Sequence, residues 1–171
     1  RCILLQRKEC WKCAFQHTPT FSIEPLFCYT ETKIIYIIGG QMKYHSMIPE
    51  LTISDIEITK DFYLNKLGFT LEYEREEDKF IFLSYNGSQF MFEQIHEEGW
   101  NIGKLEYPFG RGINFSIRAP NIRKQYQAVI DCNIKLFREL QEATYKCGNE
   151  EILEVQFLIQ DPDGYLLRFT N

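Results

Sequence analysis

The chain has 171 residues, the size of one ordinary domain and short for two. Apolar residues make up 44% and charged residues 25%, a composition that can bury a core and is unlike a disordered chain. The formal charge of -5 argues against a protein that grips phosphate backbones, so nucleic acid falls away as a partner. No stretch approaches the roughly 18–20 apolar residues of a membrane-spanning helix. The expected location is the cytoplasm, with no membrane partner.

The first 45 residues differ from the rest. They hold Cys2, Cys10, Cys13 and Cys28, and carry six Lys/Arg against three Asp/Glu, a net of +3. Residues 46–171 carry 13 against 21, a net of -8. The leader shows no period of 2 or 3.6, whereas the remainder is strongly patterned. Cys10-Trp11-Lys12-Cys13 is a CxxC near His17 and Cys28, but it lacks a second CxxC or CxxH at zinc spacing and no strand leads into it. These cysteines are therefore read as incidental. Gly39-Gly40 before Met42 is compatible with a GGA GGA ribosome-binding site ahead of an ATG. Residues 1–41 are thus expected to be translated upstream sequence, with the biological start at Met42 or Met47. The predicted organisation is a non-native or disordered leader over 1–45 and one domain over 46–171.

In chain order the domain begins with a strand at Ile48–Ile53, where Leu51 and Ile53 alternate with Glu50 and Thr52. Asp55 then caps a helix. Its apolar positions are Ile58, Phe62 and Leu67, with Tyr63 beside them, and Gly68 ends it. Phe69–Arg75 alternates as a strand. Lys79–Tyr85 and Gln89–Ile95 form a hairpin turning at Asn86-Gly87. After a connector the order repeats. Gly112–Ile117 is a strand, and Pro120-Asn121 starts a helix to about Asp131 through Ile122, Tyr126, Val129 and Ile130. Ile134–Leu140 is a strand. Val155–Gln160 and Tyr165–Thr170 form a hairpin through Asp161-Pro162-Asp163-Gly164.

The two halves match at a shift of 64 residues at their first strands, placing Leu51 and Ile53 on Phe115 and Ile117. The shift drifts to 75–77 at the final hairpins. Such duplication is a signal about the fold. Module one spans 48–95, the connector 96–111 and module two 112–171. One βαβββ unit leaves a face of its sheet open, so two units must cooperate to enclose a site.

The runs "PELTISDIEITKDFYLNKLGFTLEYE" (Pro49–Glu74) and "FLIQDPDGYLLRF" (Phe157–Phe169) resemble the vicinal oxygen chelate superfamily of glyoxalase-type enzymes, extradiol dioxygenases, and fosfomycin and bleomycin resistance proteins. "LSYNGSQFMFEQ" (Leu83–Gln94) and "WNIGKLEYPFGRGINF" (Trp100–Phe115) are similar to its bleomycin resistance branch. The resemblance implies an α+β fold of two tandem βαβββ modules whose curved mixed sheet surrounds a cup-like cavity. It also implies four metal-ligand positions, which map by strand offset to Ile48, Glu93, Gly112 and Arg168. Only Glu93 has a side chain that binds a cation, and Arg168 puts a fixed positive charge where a divalent ion would sit. His96 and Glu98 lie just past the strand end and read as loop residues. No metal, cofactor or catalytic residue is assigned, and the reading leans away from an enzyme.

By the period of 2, the cup face carries Ile48, Glu50 and Thr52, then Gln89, Met91 and Glu93, then Gly112, Asn114 and Ser116, and finally Leu166, Arg168 and Thr170. The opposite face is apolar and is predicted to be core under the helices. Glu93 and Arg168 are expected to meet at the cup floor, as an ion pair or as ligand contacts. The long connector carries Trp100, Tyr107 and Phe109, either for stacking on a ligand or for closing an interface. The run Glu72, Glu74, Glu76, Glu77, Asp78 reads as a solvated hairpin edge. The candidate ligand-binding residues are Glu50, Met91, Glu93, Trp100, Tyr107, Phe109, Asn114 and Arg168. The expectation is a homodimer that sequesters a small drug, on the resemblance a cationic glycopeptide antibiotic. The alternatives are a glyoxalase- or dioxygenase-type enzyme with a non-standard metal site and a binder of some unrelated metabolite.

Overall fold

The computed structural model describes residues 43–171. The CxxC, His17, Cys28 and the Met42 start lie outside the described residues. Two βαβββ modules follow one another. The first comprises β1 (Glu50–Ile53), α1 (Ile56–Lys60) with a π-helical continuation over Asp61–Lys66, β2 (Thr70–Arg75), β3 (Phe80–Tyr85) and β4 (Ser88–Gln94). The second comprises β5 (Asn114–Arg118), α2 (Ile122–Asp131), β6 (Leu136–Cys147), β7 (Glu150–Gln160) and β8 (Leu166–Thr170). Each makes a four-stranded mixed sheet, ordered β1-β4-β3-β2 and β5-β8-β7-β6. The outer strands β1 and β5 run parallel to β4 and β8, and the remaining pairs are antiparallel. The expected α+β class and tandem modules are what the chain forms, without a closed barrel. Among the described residues no helix is long and apolar enough to cross a membrane.

The predicted helix caps are in place. Asp55 Oδ1 accepts from the Glu57 and Ile58 amides at 2.9 and 3.0 Å, and Asn121 Oδ1 accepts from the Lys124 amide at 3.0 Å. Each satisfies amides that a helix start leaves without an intrahelical acceptor. The buried stripe of the first helix differs from the predicted one. Ile56, Thr59, Phe62, Tyr63 and Leu67 face inward, while Ile58 is exposed. The π-helical turn, closed by Leu67 N–H to Phe62 O at 3.1 Å, widens the second half and seats Phe62 and Tyr63 side by side in the core.

The second hairpin is longer than predicted. β6 reaches Cys147 and β7 begins at Glu150. Its outer half, past the last partner of β8 at Gln156, is a two-stranded ribbon. Tyr145, Ile152 and Leu153 are exposed on it. With neither face on the core, those residues carry no period-2 hydrophobic signal.

The apolar faces of both sheets build one core that includes Leu51, Ile53, Phe90, Phe92, Ile117, Leu167 and Phe169. The modules are joined by reciprocal turn contacts. From module two, Asp163 Oδ1 accepts the Ser54 amide just after β1 at 3.0 Å. From module one, the Asn86 amide donates to Arg118 O at the end of β5 at 2.9 Å. Asp161 is buried beneath the same turn. Its Oδ1 accepts from the Asp163 and Tyr165 amides at 3.0 and 2.8 Å, and its Oδ2 accepts the Tyr63 hydroxyl of module one at 2.9 Å. Gly164 sits at φ +88°, and a Cβ there would fall 2.4 Å from Pro108 Cβ in the connector.

Two expectations follow from this joint. Gly164→Ala meets both a left-handed backbone angle and the Pro108 wall, and is expected to cost about 1–3 kcal/mol in urea denaturation. Desolvation, aided by the charge of Asp163, pushes the Asp161 carboxyl up to about 7 against its hydrogen bonds. Above its unfolded value, near 3.9, and up to about 7 the native state therefore binds the extra proton, and stability falls as pH rises through that window. Asp161→Asn keeps the acceptor for the turn amides and removes the titration. Its stability, measured by denaturation from pH 4 to 7, is expected to fall less steeply than that of the wild type. Parallel curves would contradict this.

Candidate functional site

Strand pairing writes the polar face of the first sheet as two rows. One runs Glu50, Met91, Phe82, Tyr73; the other runs Thr52, Glu93, Phe80, Arg75. The predicted cup residues of module one are thus brought together, with an aromatic wall beside them that alternation alone does not mark. Phe82 has no exposed surface, although it lies on this outer face. Tyr44 stacks on it at 5.4 Å between ring centroids, and Tyr73 tilts against it at 5.4 Å. The Gln89 side chain accepts the His45 amide and donates to Lys43 O, both at 2.8 Å. Residues 43–45, which the sequence reading places in the leader, therefore lie against this sheet. The Arg75 guanidinium covers the Phe80 ring at 3.9 Å. Phe80 and Phe82 alternate with core residues Ile81 and Leu83 in an unbroken apolar run, which is why period 2 alone could not mark one face as a wall.

The acidic groups of the face are grouped rather than isolated. Glu93 pairs with His96 Nε2 at 3.4 Å and opens onto a depression of about 450 Å³ lined also by Arg75, Asp78, Lys79 and Glu98. Partial burial first, and the Glu93 charge second, push the Glu50 carboxyl above the ordinary carboxylate range, with Arg75 opposing them. The predicted acid edge is partly neutralised. Glu74 pairs with Lys60 at 2.8 Å, Asp78 with Arg75 at 3.3 Å, and Glu72 accepts from Ser84.

Module two presents Asn114 and Ser116 on β5, Leu166 and Arg168 on β8, and Leu158 and Gln160 on β7. Arg168 Nη1 lies 3.5 Å from Gln156 Oε1 and 3.9 Å from Glu154 Oε1. The expected Glu93–Arg168 pair is thus not the arrangement formed. Each has a partner next to its own strand end or on its own hairpin, because both side chains sit on outer faces of a shared core.

The connector aromatics are placed differently from one another. Phe109 is partly buried and meets Tyr165 edge-on at 6.5 Å, held by its amide to Asp163 O at 2.9 Å. Tyr107 is exposed at the rim of a groove of about 660 Å³ that also holds Phe62, Lys66, Cys132, Lys135 and, from the outer face of module two, Gln160. Trp100 is 94% exposed. Its neighbour Asn101 accepts the Thr52 hydroxyl at 2.9 Å and so ties the connector to β1.

The positions that the family resemblance assigns to metal do not fit a divalent ion. Ile48 offers hydrocarbon and Gly112 no side chain, Glu93 is engaged by His96, and Arg168 is a permanent cation. Among the described residues no group of three or more His, Cys, Asp or Glu is gathered as a metal cluster.

No protein-family model matches the chain. It is 27% identical over 128 residues to the bleomycin resistance protein of Geobacillus stearothermophilus, a match covering 71% of this chain and 92% of that protein. A glyoxalase/bleomycin resistance protein/dioxygenase superfamily member from Vibrio splendidus 12B01 is 32% identical across 71% of this chain and 93% of its own, with a TM-score of 0.33. A glyoxalase/bleomycin resistance protein/dioxygenase from Alicyclobacillus acidocaldarius superposes with a TM-score of 0.52 at 22% identity, over 72% of this chain and 88% of that one.

The Glu50–Glu93 relation is open to direct measurement. Glu93→Gln removes one of the two influences that raise the Glu50 carboxyl. Carboxyl-detected NMR titration is expected to place Glu50 lower in the variant than in the wild type. An unchanged Glu50 titration would show that burial alone sets it.

Proposed function

We propose that this protein, which belongs to the vicinal oxygen chelate superfamily, is a metal-independent binding protein that captures a small drug of the bleomycin type without converting it. The observation that carries this reading is Arg168, a fixed cation at a strand position where the metal enzymes of the superfamily need a ligand to a cation. The relatives named bleomycin resistance proteins support the choice of ligand class. So does the chemistry of module one. Glu50 and Glu93 offer negative charge beside Tyr73 and Tyr44, whose ring covers Phe82, a surface suited to a flat, basic molecule.

Capture works by mass action. A protein that holds drug in a dead-end complex lowers the free concentration in proportion to the protein present and needs no turnover. Each polar sheet face lies outside the shared core, so a pocket walled on two sides needs a second face. A homodimer that sets module one of one copy against module two of the other supplies it, and the proposed setting is the cytoplasm.

The test is isothermal titration calorimetry of the full chain with bleomycin, copper-free and copper-loaded, beside elemental analysis of the purified protein. Saturable heat at micromolar drug or below is expected, with Glu50→Gln/Glu93→Gln weakening it by roughly 1–3 kcal/mol. Affinity is expected to fall as pH drops through the raised Glu50 titration, since the neutral acid attracts no cation. No heat at high micromolar drug would remove the antibiotic and leave a binder of another metabolite. Stoichiometric nickel, zinc, iron or manganese would overturn capture in favour of metal chemistry.

A further inference from the structure

One shielded donor on the outer face of module two, the Arg168 Nε–H, has no acceptor. Both contacts of Arg168, to Gln156 and to Glu154, use Nη1, at 3.5 and 3.9 Å. Nε is shielded from water and has no hydrogen-bond partner. Buried polar groups are nearly always paired, so an unpaired guanidinium N–H calls for an explanation. Nε and Nη2 form the side-on edge of the guanidinium, whose two parallel N–H groups match the two oxygens of a carboxylate.

The surroundings fix the strand that carries this edge and leave the guanidinium itself loosely held. β8 is an inner strand, flanked by β5 and β7, so the Arg168 backbone is fixed on both sides. Ser116 is its direct neighbour on β5, on the same face and exposed. Asn114 follows two residues before, also exposed. Gln156 is buried, and its amide donates to Tyr145 Oη at 3.2 Å, which aims its Oε1 at Nη1. Among the described residues Glu154 is the one carboxylate paired with Arg168, and at 3.9 Å its hold is loose. An incoming carboxylate gains Nε and Nη2 when the guanidinium turns outward from the sheet, and gives up no short bond in the exchange.

We infer that Arg168 and Ser116 form a receptor for a carboxylate or similar planar oxyanion on the bound ligand, complementary to the acidic, aromatic face of module one. This deepens the capture reading and rests on it. The ligand class it names is amphoteric: a flat or basic portion against Glu50, Glu93 and the exposed Tyr44 ring, and an oxyanion or strongly polarised carbonyl on Arg168.

The test uses benzoate as the probe and benzamide as its neutral counterpart, with the full chain followed by heteronuclear NMR. Benzoate is expected to saturate at millimolar concentration and to move the Arg168 Nε–H resonance downfield, the mark of a new acceptor. Benzamide is expected to bind at least tenfold more weakly. Arg168→Lys keeps the charge and removes the side-on edge, and should weaken benzoate at least tenfold. Ser116→Ala should weaken it about threefold. Amide spectra of both variants report whether the fold is retained. Equal benzoate affinity in wild type and a folded Arg168→Lys, or saturation without movement of the Nε–H signal, would overturn the receptor. If bleomycin binds while benzoate ignores Arg168, the receptor fails and capture stands. If neither binds and the protein carries stoichiometric metal, capture itself has failed.

Discussion

The buried hydrogen bond between Tyr63 and Asp161 is the constraint on which the arrangement of the two modules depends. Tyr63 comes from the π-helical turn of module one, and Asp161 from the hairpin turn of module two. A carboxylate removed from water is costly unless its oxygens are occupied. Here the two turn amides occupy Oδ1 and the phenol occupies Oδ2, so the turn is complete only when module one is docked. Desolvation raises the Tyr63 hydroxyl well above its ordinary range as well, so it remains a donor. Around this bond the docking is nearly symmetric. Asn86 and Asp163, each in the tight turn of one module, reach the backbone just after or at the end of the partner module's first strand. The symmetry breaks in that only the second turn carries a buried carboxylate and a glycine wedged against the connector.

Much of this frame can be read from the sequence, and the reasons differ by element. Asp55 and Asn121 announce their helices because an N-cap is a local requirement. β1, β4, β5 and β8 announce their faces because one side is core and the other is not, so Leu51, Phe92, Ile117 and Leu167 alternate with residues that, Met91 and Leu166 apart, are polar or charged. The π-helical turn is hidden, since Ile58 fits an ordinary helix stripe as well as Ile56 does, and only tertiary packing chooses between them. The outer half of the β6–β7 ribbon is hidden for the opposite reason. With no buried face it leaves no pattern. Tyr44 escaped for a third reason: its partner Phe82 belongs to a strand that is apolar on both faces, and nothing local tells which face will meet a distant ring.

The site itself was readable as a surface and not as a set of contacts. Glu50, Met91, Glu93, Asn114 and Arg168 all stand on outer sheet faces, as alternation requires. Pairings among long side chains are another matter. Glu93 and Arg168 occupy equivalent positions in the duplicated pattern, which suggested a meeting. Equivalent positions in a duplicated fold meet only where the axis relating them passes close by. Sharing the apolar faces in one core puts the polar faces outside it, so Glu93 settles on His96 and Arg168 on Glu154. The connector behaves similarly. Phe109 is captured by Tyr165 because its backbone is pinned to Asp163, while Trp100, beside the tie between Asn101 and Thr52, stands in solvent.

The electrostatic difference between the modules has a consequence for what such a pair of faces can hold. Duplication begins with two equivalent surfaces, and here they have diverged in sign at the same strand position: Glu93 in one, Arg168 in the other. A metal site assembled from both modules needs like-minded donors at these positions, because an ion rewards negative charge from every side. Opposite charges reward a ligand that is itself polarised end to end, and they make its orientation unambiguous, since reversing it sets like charge against like. Under the proposed capture reading, a cation at the Arg168 position works against chelation and favours one orientation of a polarised ligand. The surrounding fold needs no change, because both residues project from strands whose opposite faces carry the core.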